Sequence, residues 1–290
     1  MVSMYDPEDI RKHYNEYGVK EWERLENNVH GRIQFEITLH TLKKHLKPGS
    51  YVLDAGGGPG RYAIELAKMG HKVYLLDISE GQLETAREKI KNAGVEDYIT
   101  EIRRMDICNL EDIPDHTFDA VICLGGAVSY VREKHKQALK ELIRVAKPKS
   151  ELIVSVMSLL GTFHLISFFD SASFLENITD HIEWDPKTPF PEILYSKIGS
   201  DEWHAPMTLY TSTYLKNVFK ELGCEVVEAA STDTITSSYF SGLDNISMSS
   251  KAFDMLVELE KQFNTRPGVV DMGQHLIVTA RTPESSRRST

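Results

Sequence analysis

Along much of the chain, short apolar runs alternate with segments whose apolar residues recur every three or four positions. The run Tyr51-Val52-Leu53-Asp54-Ala55 reads as a buried strand, and Ala63, Leu66 and Ala67 beyond it fall at helical spacing. Residues 71–77 give a second strand, and Leu83, Ala86 and Ile90 mark the helix after it. Asn92-Ala93-Gly94 closes that helix with a residue that tolerates the left-handed conformation. A weaker third strand covers 98–103, and a strongly apolar fourth covers 118–124. Leu139, Leu142, Ile143 and Ala146 form the next helix, which Lys147-Pro148-Lys149-Ser150 ends before a fifth strand at 152–156. Strands and helices alternating at these lengths predict an α/β fold, a mostly parallel sheet with helices on both faces.

The pattern departs in three places. Residues 1–46 read as an N-terminal helical cap, with Ile10, Tyr14 and Tyr17 on one face and Phe35, Leu39, Leu42 and Leu46 on another. Residues 158–208 are aromatic and proline-dotted, and are expected to form a lid or acceptor insertion at the carboxyl edge of the sheet. The helix of Leu215, Val218, Phe219 and Leu222 then leads to a sixth strand at 224–229, and a seventh covers 274–280. Between those strands, 232–267 is a helical insertion with one clear stripe through Ala252, Met255, Leu256, Leu259 and Phe263. The expected organisation is thus a cap (1–46), a cofactor-binding core (47–157), a lid (158–208) and the rest of the core (209–283). The polar tail 284–290 is expected to be disordered.

Composition narrows the function. The 290 residues carry 43 acids against 33 lysines and arginines, a formal net charge of -10. No basic face is evident, which disfavours nucleic acid as a partner. The three cysteines, Cys108, Cys123 and Cys224, lack CxxC pairing, so neither a disulfide frame nor a zinc site is expected, and no metal. The acidic, polar N-terminus does not read as a signal peptide, and a cytoplasmic location is expected. Residues 152–169 are nearly free of charge. Ser155, Ser158, Gly161, Thr162, His164 and Ser167 interrupt them, so a strand running into a helix is the better reading than a membrane span.

The chemistry centres on Asp54 and the loop Gly56-Gly57-Gly58-Pro59-Gly60, at the carboxyl end of the first strand, where open α/β sheets bind cofactors. A dinucleotide fingerprint, G-x-G-x-x-G, wants its third glycine three positions after the second; here Gly60 follows Gly58 by two, one place early. A glycine-rich turn without a ligand would also read this way. The run Asp54-x-Gly56-x-Gly58-x-Gly60 resembles motif I of class I S-adenosylmethionine-dependent methyltransferases. The succession of seven strands is similar to that family's Rossmann-like core, in which the seventh strand inserts antiparallel. The likeness is closest to the small-molecule and ubiquinone-methyltransferase-like group. It covers roughly 46–156, 209–230 and the last strand, and does not reach either insertion.

The resemblance implies S-adenosylmethionine as cofactor, with Gly56, Gly57, Gly58 and Gly60 wrapping its amino-acid tail and Asp54 ordering the loop and facing the ammonium. Asp77, with Ile78 beside it, ends the second strand roughly 20 residues past the loop, where an acid accepts from both ribose hydroxyls. The alternative is a helix N-cap, for which Ser79 is better placed. Asp106 and Ile107 match the adenine site, and Leu124, with Gly125 and Gly126, matches the methionine site. Tyr17 and Arg24 belong to an amphipathic stretch that either flaps over the cofactor or, with Trp22, simply packs on the core and meets solvent. Methyl transfer is an in-line displacement that requires alignment and exclusion of water, and a base only when the nucleophile arrives protonated. His164 and His204 are the candidate catalytic residues, with Tyr130 and Tyr210 behind them; each also reads as an ordinary packed or surface residue. Gly125-Gly126-Ala127-Val128 stands where methylators of amides and exocyclic amines carry Asn-Pro-Pro-Tyr. The expected function is methyl transfer to a small-molecule acceptor. Methylation of RNA or protein, a nicotinamide oxidoreductase and a non-catalytic cofactor-binding module are the rivals.

Overall fold

The computed structural model describes residues 4–165, 188, 205–238, 246 and 249–284. Three helices come first: α1 (Pro7–Tyr17), α2 (Lys20–Arg24) and α3 (Val29–His45). The alternating core follows as β1 (Tyr51–Ala55), α4 (Arg61–Lys68), β2 (Lys72–Asp77), α5 (Glu80–Ala93) and β3 (Ile99–Arg104). It continues through β4 (Phe118–Cys123), α6 (Ala127–Tyr130), α7 (His135–Val145) and β5 (Ala146–Met157). The last part runs α8 (Ser212–Glu221), β6 (Glu225–Ser231), α9 (Ser250–Phe263) and β7 (His275–Arg281).

The seven strands form one sheet in the order β3-β2-β1-β4-β5-β7-β6. All pairings from β3 to β5 are parallel, and β7 runs antiparallel to both β5 and β6. The strand order reverses between β1 and β4, which opens a crevice at their carboxyl ends. Adjacent residues of one strand feed opposite cores, as period-two side chains must. Leu53 and Val121 pack with Leu139, Leu142, Leu215 and Phe219 on one face. Val52 and Ile122 pack with Leu42, Leu66, Leu83 and Ile90 on the other.

Three local expectations change. Helix α7 stops at Val145 and β5 begins at Ala146, six residues earlier than the apolar run suggests. The Lys147–Ser150 stretch is held by Thr282, whose hydroxyl donates to Lys147 O at 2.6 Å and accepts from Ser150 N at 3.0 Å. Helix α3 carries a second stripe, Val29, Ile33 and Ile37, which packs on Leu256 and Val257 of α9. The buried face of α9 is accordingly Leu256, Val257 and Glu260, while Met255 and Phe263 face solvent. Glu260 is drawn inward because its carboxylate caps a turn, accepting from the amides of Ile235 (2.9 Å) and Thr236 (2.6 Å).

Of the expected lid, only 158–165, 188 and 205–208 are among the described residues, and the tail beyond Glu284 lies outside them. No helix among the described residues is long and apolar enough to cross a membrane. The three cysteines are free and buried. Among the described residues no three His, Cys, Asp or Glu side chains gather to hold a metal.

Candidate functional site

A cleft of about 850 Å³, part of it open to solvent, occupies the crevice beside β1. Its floor is the turn between β1 and α4. The amides of Gly56 and Gly57 donate to Leu76 O at 2.8 and 3.1 Å, which pins the turn against β2. Gly57 is dictated by crowding: a Cβ there would sit 2.5 Å from Leu75 Cδ1 and 2.6 Å from the Asp54 carboxylate. Gly56 has φ +70°, and its Cβ would meet that of Ala127 at 2.8 Å. The β1 turn and the start of α6 therefore touch across the cleft.

Asp54 lies beneath this turn and is fully buried. Neither of its carboxylate oxygens has a partner at hydrogen-bonding geometry. Burial, and after it the charge of Asp77, raises its pKa to about 7, although the nearby Ala63 amide pulls the other way. Asp77 closes β2 and is better satisfied. Its Oδ2 accepts from Gly58 N at 2.9 Å and its Oδ1 from Ser79 N at 2.8 Å. Burial lifts its pKa to about 6, the two amides oppose the rise, and Glu21 adds to it. Ser79 is the N-cap of α5, accepting from Gln82 N, so Asp77 is left facing the cleft. Asp106 follows β3 and accepts from Cys108 N at 2.8 Å. The hydroxyl of Tyr5 hydrogen-bonds to the Asp106 carboxylate. Ile78, Ile107 and Leu124 supply apolar wall.

The roof comes from the cap. Gln82 donates to Tyr14 O and Gly18 O, both at 2.9 Å, and so ties off the carboxyl end of α1. Asn15 Oδ1 accepts from the Ser79 hydroxyl (2.7 Å) and from Gly81 N (3.1 Å). Fastened this way, α1 aims Ile10 and Tyr14 into the cleft, with Tyr14 edge-on to Tyr130 at 5.6 Å. Glu21 and Arg24 of α2 line it too, paired at 2.7 Å. Burial opposes the Arg24 charge, but Glu21 holds the guanidinium firmly protonated. Trp22 packs outside the cleft, flanked by Arg61 at 4.2 Å and Lys89 at 4.5 Å.

The cleft thus gathers Asp54, Gly56, Gly57, Gly58, Asp77, Ile78, Asp106, Ile107, Leu124 and Arg24 from the sequence-derived set. Gly60 does not line it; it starts α4 from a left-handed conformation, φ +77°. Tyr17 stacks on His13 at 5.9 Å and leaves the cleft wall to Tyr14. His164 is elsewhere, its Nε2 3.0 Å from Ser237 O, and His204 is outside the described residues. Tyr130 lines the cleft, whereas Tyr210 is buried in the core. Sequence reasoning missed Tyr5, Glu21 and Arg61 as wall residues. Nothing in the spacing of Tyr5 and Glu21 marks them, because the fold of the cap places them, whereas Arg61 opens α4 directly after the glycine turn.

The chain is similar to known methyltransferases. A methyltransferase domain family matches residues 52–149. The ubiquinone/menaquinone biosynthesis C-methyltransferase of Escherichia fergusonii is 34% identical over 134 residues, 44% of this chain and 51% of that protein. The same enzyme of Hydrogenovibrio crunogenus is 35% identical over 137 residues, 44% of this chain and 50% of that one. The chain therefore spans about half the length of the curated relatives it matches. Among solved structures, a methyltransferase of Methanosarcina mazei superposes with a TM-score of 0.57 at 16% identity, covering 84% of this chain and 98% of that one. The geranyl diphosphate C-methyltransferase of Streptomyces coelicolor superposes at 0.52 and 11% identity, over 85% of this chain and 78% of that one. At those identities the likeness is one of fold. Sheet order, glycine turn and family match together identify residues 52–149 as a methyltransferase domain of the class I, S-adenosylmethionine-dependent kind.

Proposed function

We propose that the chain transfers a methyl group from S-adenosylmethionine to a small-molecule acceptor in the cytoplasm. The observation that carries the reading is the Asp54 carboxylate, buried beneath the glycine turn with neither oxygen hydrogen-bonded. A dinucleotide would set its pyrophosphate over that turn, against a buried acid. A ligand with an ammonium and a sulfonium meets complementary charge there instead. Asp54 and the turn would hold the amino-acid tail, Asp77 the ribose, Asp106 and Ile107 the adenine, and Leu124 with Gly125 the methionine chain. The bound cofactor supplies an electrophilic methyl group; the chain's own residues bind, orient and exclude water. Tyr5, Tyr14 and Arg24 of the cap roof the cleft, which suits that last task.

Two things support a small acceptor: the names of the curated relatives, which are C-methyltransferases of quinone biosynthesis, and the net charge of -10. The aromatic residues of 158–208 are proposed to line the acceptor pocket. Calorimetry should show S-adenosylmethionine and S-adenosylhomocysteine binding while NAD does not. Asp77→Ala should weaken both by roughly 2–4 kcal/mol through loss of two hydrogen bonds to a charged acceptor. Comparable affinity for NAD, or an Asp77→Ala protein that binds as tightly as the parent, would overturn the reading.

A further inference from the structure

Among the described residues, six charged side chains line the cleft: the acids Glu21, Asp54, Asp77 and Asp106, and the cations Arg24 and Arg61. Arg61 is engaged on the cap side. Its guanidinium lies 4.2 Å from the Trp22 ring and 5.0 Å from that of Phe35, with Nη1 3.3 Å from Glu26. Arg24 is placed differently. Its Nε and Nη2 both donate to Glu21, at 3.2 and 2.7 Å, so that edge of the guanidinium is occupied. The edge formed by Nη1 and Nη2 has, among the described residues, one long contact, 3.4 Å from Nη1 to Gln34 Oε1.

The Glu21–Arg24 pair also bridges the crevice. Glu21 Cγ lies 3.8 Å from the point that a Cβ on Gly58 would occupy, over the glycine turn. Arg24 Nη2 lies 3.9 Å from the same point on Gly125, just past β4. No other described atom outside the neighbouring residues comes within 4 Å of that point, so space remains between the guanidinium and the end of β4. An ion pair on an exposed helix face contributes little and needs no such place. Here the two side chains are only 24% and 18% exposed, and α2 presents both to the cleft. A sheltered guanidinium with an open planar edge matches a carboxylate, which it holds by two parallel N–H···O bonds.

We propose that Arg24, oriented by Glu21, grips the carboxylate of the cofactor's amino-acid tail and so fastens the helical cap over the loaded cleft. The inference rests on the methyltransferase reading and adds to it a residue pair and a closing contact. S-adenosylmethionine carries two positive groups and one carboxylate. With its ammonium toward Asp54, the carboxylate enters a cleft where acids outnumber cations four to two. Arg24 is the cation turned toward the end of β4. Without it the carboxylate meets Asp54 and Glu21 unpaired, a repulsion that a low-dielectric site enlarges. Helix α2 belongs to the cap, whereas Asp54 and the glycine turn belong to the core, so a tail held at both ends ties the two together. Glu21 is a positioning residue, acting through Arg24.

The probes are S-adenosylhomocysteine and its decarboxylated analogue, which keeps the adenosine, the thioether and the ammonium, each measured by calorimetry on the full chain. The parent should bind S-adenosylhomocysteine tighter by roughly 30-fold or more, as a two-pronged charged contact implies. Arg24→Gln should bring the two ligands within about twofold of each other while the analogue binds as it does to the parent. That variant leaves Glu21 without its cation, so Glu21→Gln combined with Arg24→Gln, which leaves neither charge, should show the same collapse. Arg24→Lys keeps the charge without the fork and should restore only part of the preference. Glu21→Gln alone should narrow the preference, which a merely structural role would not do. Hydrogen exchange gives a second readout: amides of α2 should slow with S-adenosylhomocysteine but not with the analogue, while those of the turn 56–60 slow with both. A parent that binds both ligands alike, a preference that survives both Arg24→Gln proteins, or equal protection of α2 by the two ligands would overturn the proposal and leave the methyltransferase reading standing. A parent that binds neither ligand would overturn both.

Discussion

An ionised carboxylate at Asp54, fully buried beneath the glycine turn, is costly to the protein without a ligand. Its pKa of about 7, against an unfolded value of 3.8, means that folding favours the protonated acid. The native state therefore holds a proton that the unfolded chain has released between about pH 4 and pH 7, and cofactor-free stability falls across that window. At about 1.4 kcal/mol per pH unit, the loss is on the order of 4 kcal/mol once both states are ionised. Asp54→Asn keeps the shape and removes the charge. At pH 8 the cofactor-free variant should melt higher than the parent by an amount equivalent to roughly 2–4 kcal/mol, with little difference at pH 5. Its affinity for S-adenosylmethionine should drop at pH 8, where the parent carries the charge. Thermal melts at both pH values, with and without cofactor, check this. A variant no more stable than the parent at pH 8 would remove buried charge from the explanation.

At the scale of elements, the cap is fastened to the core by polar clips from α5. Gln82 is fully buried and supplies two of the bonds that stop α1. Gln82→Ala should remove one of the two donors to each of Tyr14 O and Gly18 O, which keep Gly18 N and Glu21 N, costing about 1–2 kcal/mol locally. Hydrogen exchange of amides in α1 should speed up while β1 and β4 keep their protection, and cofactor release should quicken. Unchanged exchange in α1 would show that the clips do not hold the roof. Elements of this kind also mark the limit of what the sequence makes legible. The strand-turn-helix about Asp54, the acids at the ends of β2 and β3, and the two core faces can all be read, because strand period, helix period and turn chemistry are local. The second stripe of α3 and the inward turn of Glu260 cannot. The first follows from α9 packing across α3, a contact between segments more than 200 residues apart, and the second from the turn at 235–236 that the Glu260 carboxylate caps. The exchange of Tyr17 for Tyr14 at the cleft has the same cause: both lie on one side of α1, and only the docking on α5 decides which enters.

For the whole molecule, the strand order places the cleft beside β1, where that order reverses toward β4. The two buried acids of the cleft give this arrangement a pH dependence whose sign is fixed. Protonated Asp54 and Asp77 offer neither charge to a cation nor a full set of acceptor sites, so the contacts proposed for the cofactor require their ionised forms. With pKa values of about 7 and about 6, both are largely protonated at pH 5 and largely ionised at pH 8. Affinity should therefore climb with pH by at most about tenfold per unit for each group still protonated, and binding should release protons below about pH 7. The rise should end near pH 8, where an α-ammonium begins to lose its own proton, at a pKa of about 8. Calorimetry at pH 6 in two buffers of different ionisation heat counts the protons released. Asp77→Asn should remove part of that count, and Asp54→Asn the part that persists to higher pH. An affinity flat between pH 5 and pH 8, with no proton release, would mean that the acids do not face the cofactor's charge.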